Sequence, residues 1–125
     1  MNNEKYSIVI IDDETEILNV LSRFLTRNSN FSVSTYSNPT VALSNMSNLK
    51  ADLVLLDIMM PQMNGLDVLE RIVQNNSNQK VIMMTAYSTL DKVLKSHKQG
   101  ATNYVMKPFE SLQILEKKVL EILQS

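Results

Sequence analysis

No cysteine occurs anywhere in the chain, which excludes disulfides, thiolate nucleophiles and cysteine-ligated metals. Glycine is nearly as scarce. With only Gly65 and Gly100 present, neither a Walker phosphate loop nor a GxGxxG dinucleotide loop can be written. Long hydrophobic runs are missing too. Strictly aliphatic or Met runs such as Ile8–Ile11 and Leu53–Leu56 stop at four residues, against the ~20 needed to cross a bilayer. The opening MNNEKYS lacks the apolar stretch of a signal peptide, so a cytoplasmic location and no membrane partner are expected. No charge of one sign dominates: twelve basic and thirteen acidic side chains leave a net charge of −1. No global basic field exists to hold nucleic acid, and direct nucleic-acid binding is not expected. What is present is ordinary for a soluble domain: 44% apolar and 20% charged residues over 125 positions, enough for one core and one domain.

Four continuous apolar segments, Ile8–Ile11, Leu53–Leu56, Val81–Met84 and Tyr104–Met106, suit strands covered on both faces. Phe31–Tyr36 alternates apolar and polar, which suits a half-covered edge strand. Helical patterns lie between. The first carries Ile17, Leu18, Leu21, Phe24 and Leu25 after an acidic start in which Asp13 and Glu16 form a candidate capping pair. Asn38-Pro39 opens a second helix, expected to run through Met46, and Asn64 caps a third with Leu66, Leu69, Ile72 and Val73. Ser88 with Asp91 starts a fourth, bearing Leu90, Val93, Leu94 and His97, with Gly100 at its left-handed end. A fifth runs from about Ser111 to Gln124. Asn28–Asn30, Ser44–Asn48 and Asn75–Asn78 read as loops. Strand and helix alternating five times predict an α/β fold, a flavodoxin-like (βα)5 doubly wound parallel five-stranded sheet in the order 2-1-3-4-5. One domain over residues 1–125 is expected, with its core at about 6–124 and no linker to an output domain.

In such folds ligands bind at the carboxyl ends of the strands, where the winding reverses. Here those ends carry Asp12-Asp13, Asp57, Thr85 and Lys107-Pro108. With neighbouring strands ~4.8 Å apart, three carboxylates crowd one spot and call for a cation. All-oxygen donors favour a hard ion such as Mg2+. Carboxylates, a divalent ion, a hydroxyl and a lysine together make a phosphoryl-transfer site. Singly, each residue has a plain reading: Asp13 a helix cap, Asp12 a turn residue, Thr85 a strand end, Lys107 a solvated lysine. Asp57 resists one, because an unpaired carboxylate closing a central strand is costly.

The segments IVIIDDE, DLVLLDIMMPQMNG, VIMMTAY and YVMKPF resemble the receiver domain of bacterial two-component response regulators, including the single-domain chemotaxis and sporulation types. The resemblance runs from Ser7 to the final helix. It implies that Asp57 is the phosphoacceptor, loaded by a histidine kinase or histidine phosphotransfer protein. It further implies Mg2+, with Mn2+ as a substitute, held by Asp12, Asp13, Asp57 and the backbone carbonyl of Met59. Thr85, with the backbone of Met59 and Ala86, would bond phosphoryl oxygens, and Lys107 would pair with them. The Lys107–Pro108 peptide would be cis, and Pro61 and Gly65 match the loop after the phosphosite. Such a domain is no enzyme beyond its own phosphorylation and dephosphorylation. Met59 and Tyr87 would shield the acyl phosphate from water. Thr85 and Tyr104 would form the switch, and the face of the fourth helix, fifth strand and fifth helix would engage a downstream effector or a phosphorylation-dependent second copy.

Residue patterns add detail. On the last helix Leu112, Leu115, Val119, Ile122 and Leu123 form one stripe, while Ile114 falls off it and is a candidate contact. Met83, Met84 and Met106 read as core filler, Met59, Met60 and Met63 as an adaptable docking surface, and His97 as a packing residue. Three competing functions share parts of this pattern. A small Mg2+-dependent phosphohydrolase needs a cap for which no residues are spare. A phosphorylation-independent adaptor does not require the intact acids, Thr85 and Lys107. An FMN protein needs a phosphate loop where the acidic DDETE stands.

Overall fold

The computed structural model describes residues 5–86, 91, 95, 98, 100–109 and 111–125. Five strands, β1 (Tyr6–Ile11), β2 (Phe31–Tyr36), β3 (Leu53–Asp57), β4 (Val81–Ala86) and β5 (Asn103–Lys107), form one parallel sheet in the order β2-β1-β3-β4-β5. Among the described residues, helices with defined bounds are α1 (Thr15–Leu25), α2 (Pro39–Leu49), α3 (Gly65–Asn75) and α4 (Leu112–Leu123). The expected fourth helix falls mostly outside the described residues, as do Tyr87 and His97. Asp91, Lys95 and Lys98 are helical and exposed, and Gly100 has φ 109°, the left-handed value expected of it.

Strand alternation divides the interior in two. Ile8, Ile10, Leu53, Leu55, Ile82 and Met84 face α1 and α4, meeting Leu21, Leu25, Leu115 and Val119. Val9, Ile11, Val54, Leu56, Val81 and Met83 face α2 and α3, meeting Ala42, Val68, Leu69 and Ile72. Period-two side-chain geometry sends successive residues to opposite layers, so a strand covered on both faces is apolar throughout. Truncating any such residue to Ala leaves a cavity and costs about 2–5 kcal/mol.

Several boundaries differ from the sequence expectation. β1 starts at Tyr6 because Tyr6 and Ser7 pair with Phe31 and Ser32, ladder partners that an apolar run does not reveal. β3, β4 and the edge strand β5 likewise extend past their apolar runs, to Asp57, Ala86 and Lys107. α2 continues to Leu49, so Ser44–Asn48 is helix rather than loop. Only Pro39 and Ala42 of α2 are buried. Polar residues therefore sit on its open face at little cost, and Ser44 Oγ donates back to Val41 O at 2.8 Å. The Asp13–Glu16 capping pair does not form. α1 starts at Thr15 with Glu14 as an N-cap whose side chain makes no cap bond, and Asp12 Oδ1 closes the turn by accepting the Glu14 N–H at 2.9 Å. Met106 is only partly buried, since β5 is an edge strand. Met60 is a core residue with 8% exposure, which removes it from the proposed methionine surface.

Asn38 and Asn64 cap their helices as expected, and Ser111, read only as the start of the last helix, caps it as well. Asn38 accepts from Thr40 N at 2.9 Å, Asn64 from Leu66 N at 2.8 Å and Ser111 from Ile114 N at 3.3 Å. At the far end of α4, Lys80 Nζ donates to Ile122 O at 2.7 Å and Ser125 O at 3.1 Å, tying the end of α4 to the start of β4.

Gly65 fixes the loop beyond β3. Its N–H donates to Ile58 O at 2.7 Å, and Ile58 N donates to Met84 O at 3.1 Å. A Cβ on Gly65 would lie 2.2 Å from Asp57 O and 2.6 Å from Ile58 Cα, both backbone atoms that cannot step aside. Gly65→Ala is therefore expected to lower stability by about 2 kcal/mol or more, read as a fall in the urea midpoint. An unchanged midpoint would show that the loop does not need this close approach.

Candidate functional site

The sheet register assembles the site. Ile11 pairs with Leu56, so Asp12 leaves β1 beside Asp57 at the end of β3. Asp57 pairs with Met84, and Ala86 pairs with Lys107, so Thr85 and Lys107 reach the same edge. Asp12, Asp13 and Asp57 each offer one carboxylate oxygen to a cluster whose members all lie within 4.8 Å of one another. Asp12 is fully buried, Asp57 is 5% exposed and Thr85 1%. Asp13, released from capping, is half-buried.

Lys107 projects into these acids. Its Nζ lies 2.7 Å from Asp12 Oδ2, 3.2 Å from Glu14 Oε1 and 3.4 Å from Asp57 Oδ1. The Asp12 contact is a charge pair rather than a well-angled hydrogen bond, and Asp12 Oδ2 accepts no hydrogen bond. Lys107 is followed by a cis peptide to Pro108. Glu14 carries no sequence signal of its own beyond being a third acid in a row. Its reach to Lys107 depends on the turn into α1.

Burial dominates the electrostatics. It pushes the Asp57 carboxyl up to about 7, reinforced by the negative charge of Asp12 and opposed by Lys107. Burial also raises Asp12, against the pull of Lys107 and the Glu14 N–H. For Lys107 burial works against the charge, but contact with Asp12, then Asp57 and Glu14, outweighs it and raises the ammonium above its ordinary value. Burial and mutual repulsion thus favour the protonated form of these acids even with Lys107 beside them.

The remaining singled-out residues lie around this centre. Met59, two residues beyond Asp57, is 53% exposed. Tyr104 is half-buried on β5, packed against the α2/α3-side core. Lys118 of α4 donates to Tyr104 O at 2.9 Å and stands 5.6 Å over its ring. Ile114 is 57% exposed on α4, off the buried stripe as expected. It borders an open groove of about 500 Å³ with Val105, Pro108, Phe109 and Lys118.

A parallel sheet wound in this order, with acids and a lysine gathered at its carboxyl edge, is a doubly wound α/β domain with a candidate site at the expected place. The family model for the response regulator receiver domain matches residues 8–119, and the chain belongs to that family. The DNA-binding response regulator MtrA of Mycobacterium tuberculosis (strain ATCC 25618 / H37Rv) is 32% identical over 117 residues, 94% of this chain and 50% of that protein. The DNA-binding transcriptional regulator NtrC of Klebsiella pneumoniae is 39% identical over 101 residues, 81% of this chain and 21% of that protein. The chain thus spans about half the length, or less, of these curated relatives. Among solved structures, a response regulator receiver domain protein (CheY-like) from Methanospirillum hungatei JF-1 superposes with a TM-score of 0.85 at 30% identity, covering 95% of this chain and 94% of that one. A receiver domain protein from Clostridium thermocellum gives 0.88 at 29% identity, with the same coverage.

The Asp57 shift has a consequence for stability. In the unfolded chain the carboxyl titrates near 3.8, whereas in the fold it keeps its proton to about 7. Between these values the folded state binds the extra proton, so the contribution of Asp57 to stability falls as pH rises from about 4 to 7 and stays low above. With chelator present, Asp57→Asn is expected to stabilise the fold by up to about 4 kcal/mol at pH 8, with the gain fading towards pH 4. Urea midpoints across that range check it. Equal midpoints at pH 8 would mean that the carboxylate is not strained.

Proposed function

We propose that Asp57 accepts a phosphoryl group from a phosphohistidine donor, on a histidine kinase or histidine phosphotransfer protein, and that a downstream effector reads the change. The observation that carries this is the setting of Asp57: a buried carboxylate at the end of the central strand, clustered with Asp12 and Asp13 and faced by Lys107. An Asp57 oxygen forms the new O–P bond as the donor P–N bond breaks, and the imidazole departs with that electron pair. Lys107, already within reach of Asp57, turns an N–H towards the incoming phosphoryl oxygens. Thr85, buried at the end of β4, offers its hydroxyl to the same oxygens.

A divalent cation fits the donor set. Asp12 Oδ2 is a buried oxygen that accepts no hydrogen bond, and every candidate ligand is a hard oxygen. Asp12, Asp13, Asp57 and the Met59 carbonyl would hold Mg2+, or Mn2+ in its place. When bound, the ion supplies positive charge against the phosphoryl oxygens and the crowded acids. Met59, with Tyr87, limits water access to the acyl phosphate. Movement of Thr85 towards the phosphoryl group is coupled to Tyr104, and the surface of β5 and α4 presents the change to an effector or to a second copy. The domain acts in the cytoplasm as a signalling phosphoprotein, with no reaction other than its own phosphorylation and dephosphorylation.

Intact mass after incubation with acetyl phosphate and Mg2+ tests the reading. One added phosphoryl group is expected on the wild type, none on Asp57→Asn, and none with chelator. Labelling of Asp57→Asn to the same extent would place the acceptor elsewhere, and no labelling of the wild type from either acetyl phosphate or a phosphohistidine donor would reject the proposal.

A further inference from the structure

We infer that Glu14 is a positioning residue: it occupies, on Lys107, the place a phosphoryl oxygen must take, and so restrains loading of Asp57. The inference rests on the phosphoacceptor reading above and adds a residue which that reading does not use. An ammonium has three donors, and Lys107 stands among three carboxylates, with one N–H donated to Glu14 Oε1. The three contacts are unequal in character. Asp12 is fully buried and the nearest, at 2.7 Å, and Asp57 is the group to be phosphorylated, at 3.4 Å. Glu14, at 3.2 Å, has a side chain that is 60% exposed and returns to water with little loss. It is therefore the partner that Lys107 gives up when a phosphoryl group arrives.

Glu14 is placed for this by its backbone. Its N–H is held by Asp12 Oδ1 at 2.9 Å, so the same aspartate that pairs with Lys107 also sets the turn from which Glu14 reaches it. The side chain has no part in capping α1, so its replacement leaves the helix start intact. An exposed ion pair is worth up to about 1 kcal/mol, which converts to an effect of about two- to fivefold on the loading rate.

Two variants distinguish release of Lys107 from a change in the local field. Glu14→Ala removes both the contact and the charge. Glu14→Asp keeps the negative charge at the mouth of the site but is one methylene too short to hold Lys107 in the same way. Loading rates with acetyl phosphate and Mg2+ are measured by intact mass on the wild type and both variants, with urea midpoints alongside. Both variants are expected to load about two- to fivefold faster, with the Glu14→Ala midpoint unchanged and the Glu14→Asp midpoint equal or higher, since Asp at this N-cap position can bond the first turn of α1. Acceleration in Glu14→Ala alone, with Glu14→Asp at the wild-type rate, would assign the effect to charge repulsion of the donor and overturn the placeholder role. Equal rates in all three proteins would also overturn it while leaving the phosphoacceptor reading intact. A wild type that never loads would overturn both.

Discussion

One ammonium shared between carboxylates of different strands organises this molecule's chemistry. Lys107 comes from the edge strand β5, yet its Nζ reaches Asp12 beyond β1 and Asp57 at the end of β3. It does so only because the parallel register brings the three strand ends to a common edge. A buried ion pair contributes little net stability, since desolvation offsets most of the attraction. Here burial leaves both aspartates raised in pKa even with the lysine in place. The fold's stability lies in the two apolar layers on either side of the sheet, and those layers hold the acids together against their repulsion.

Much of this was legible in the sequence, for a physical reason. Continuous apolar runs mark strands covered on both faces, and chemistry-bearing residues at the ends of those runs mark the carboxyl edge. Asp12, Asp13, Asp57, Thr85 and Lys107 could be placed together before any geometry was known. Strand lengths were not legible, because ladder pairing at Tyr6 and Ser7 depends on the neighbour rather than on hydropathy. The polar stretch Ser44–Asn48 looked like a loop because α2 buries little and has no need of an apolar face there. Glu14 was missed for the opposite reason. Its role arises from the turn that Asp12 closes, whereas acids at that position usually suggest helix capping. Met60 was misplaced because spacing alone does not tell which of three nearby methionines turns inward.

The same register places the site and the candidate output surface on one strand. Tyr104 and Lys107 both belong to β5, and α4 is fastened to that strand where Lys118 meets Tyr104. At its other end α4 is held by Lys80.

The central proposal is that a divalent ion takes the place of the protons that the crowded, buried acids otherwise hold. Calorimetric titration with Mg2+ at pH 7, repeated in buffers of different ionisation heat, tests this most directly. With Asp57 raised to about 7, one ion per chain is expected to bind with measurable release of protons, because the ion requires the ionised carboxylate. Binding without proton release, or no binding in the millimolar range, would contradict it.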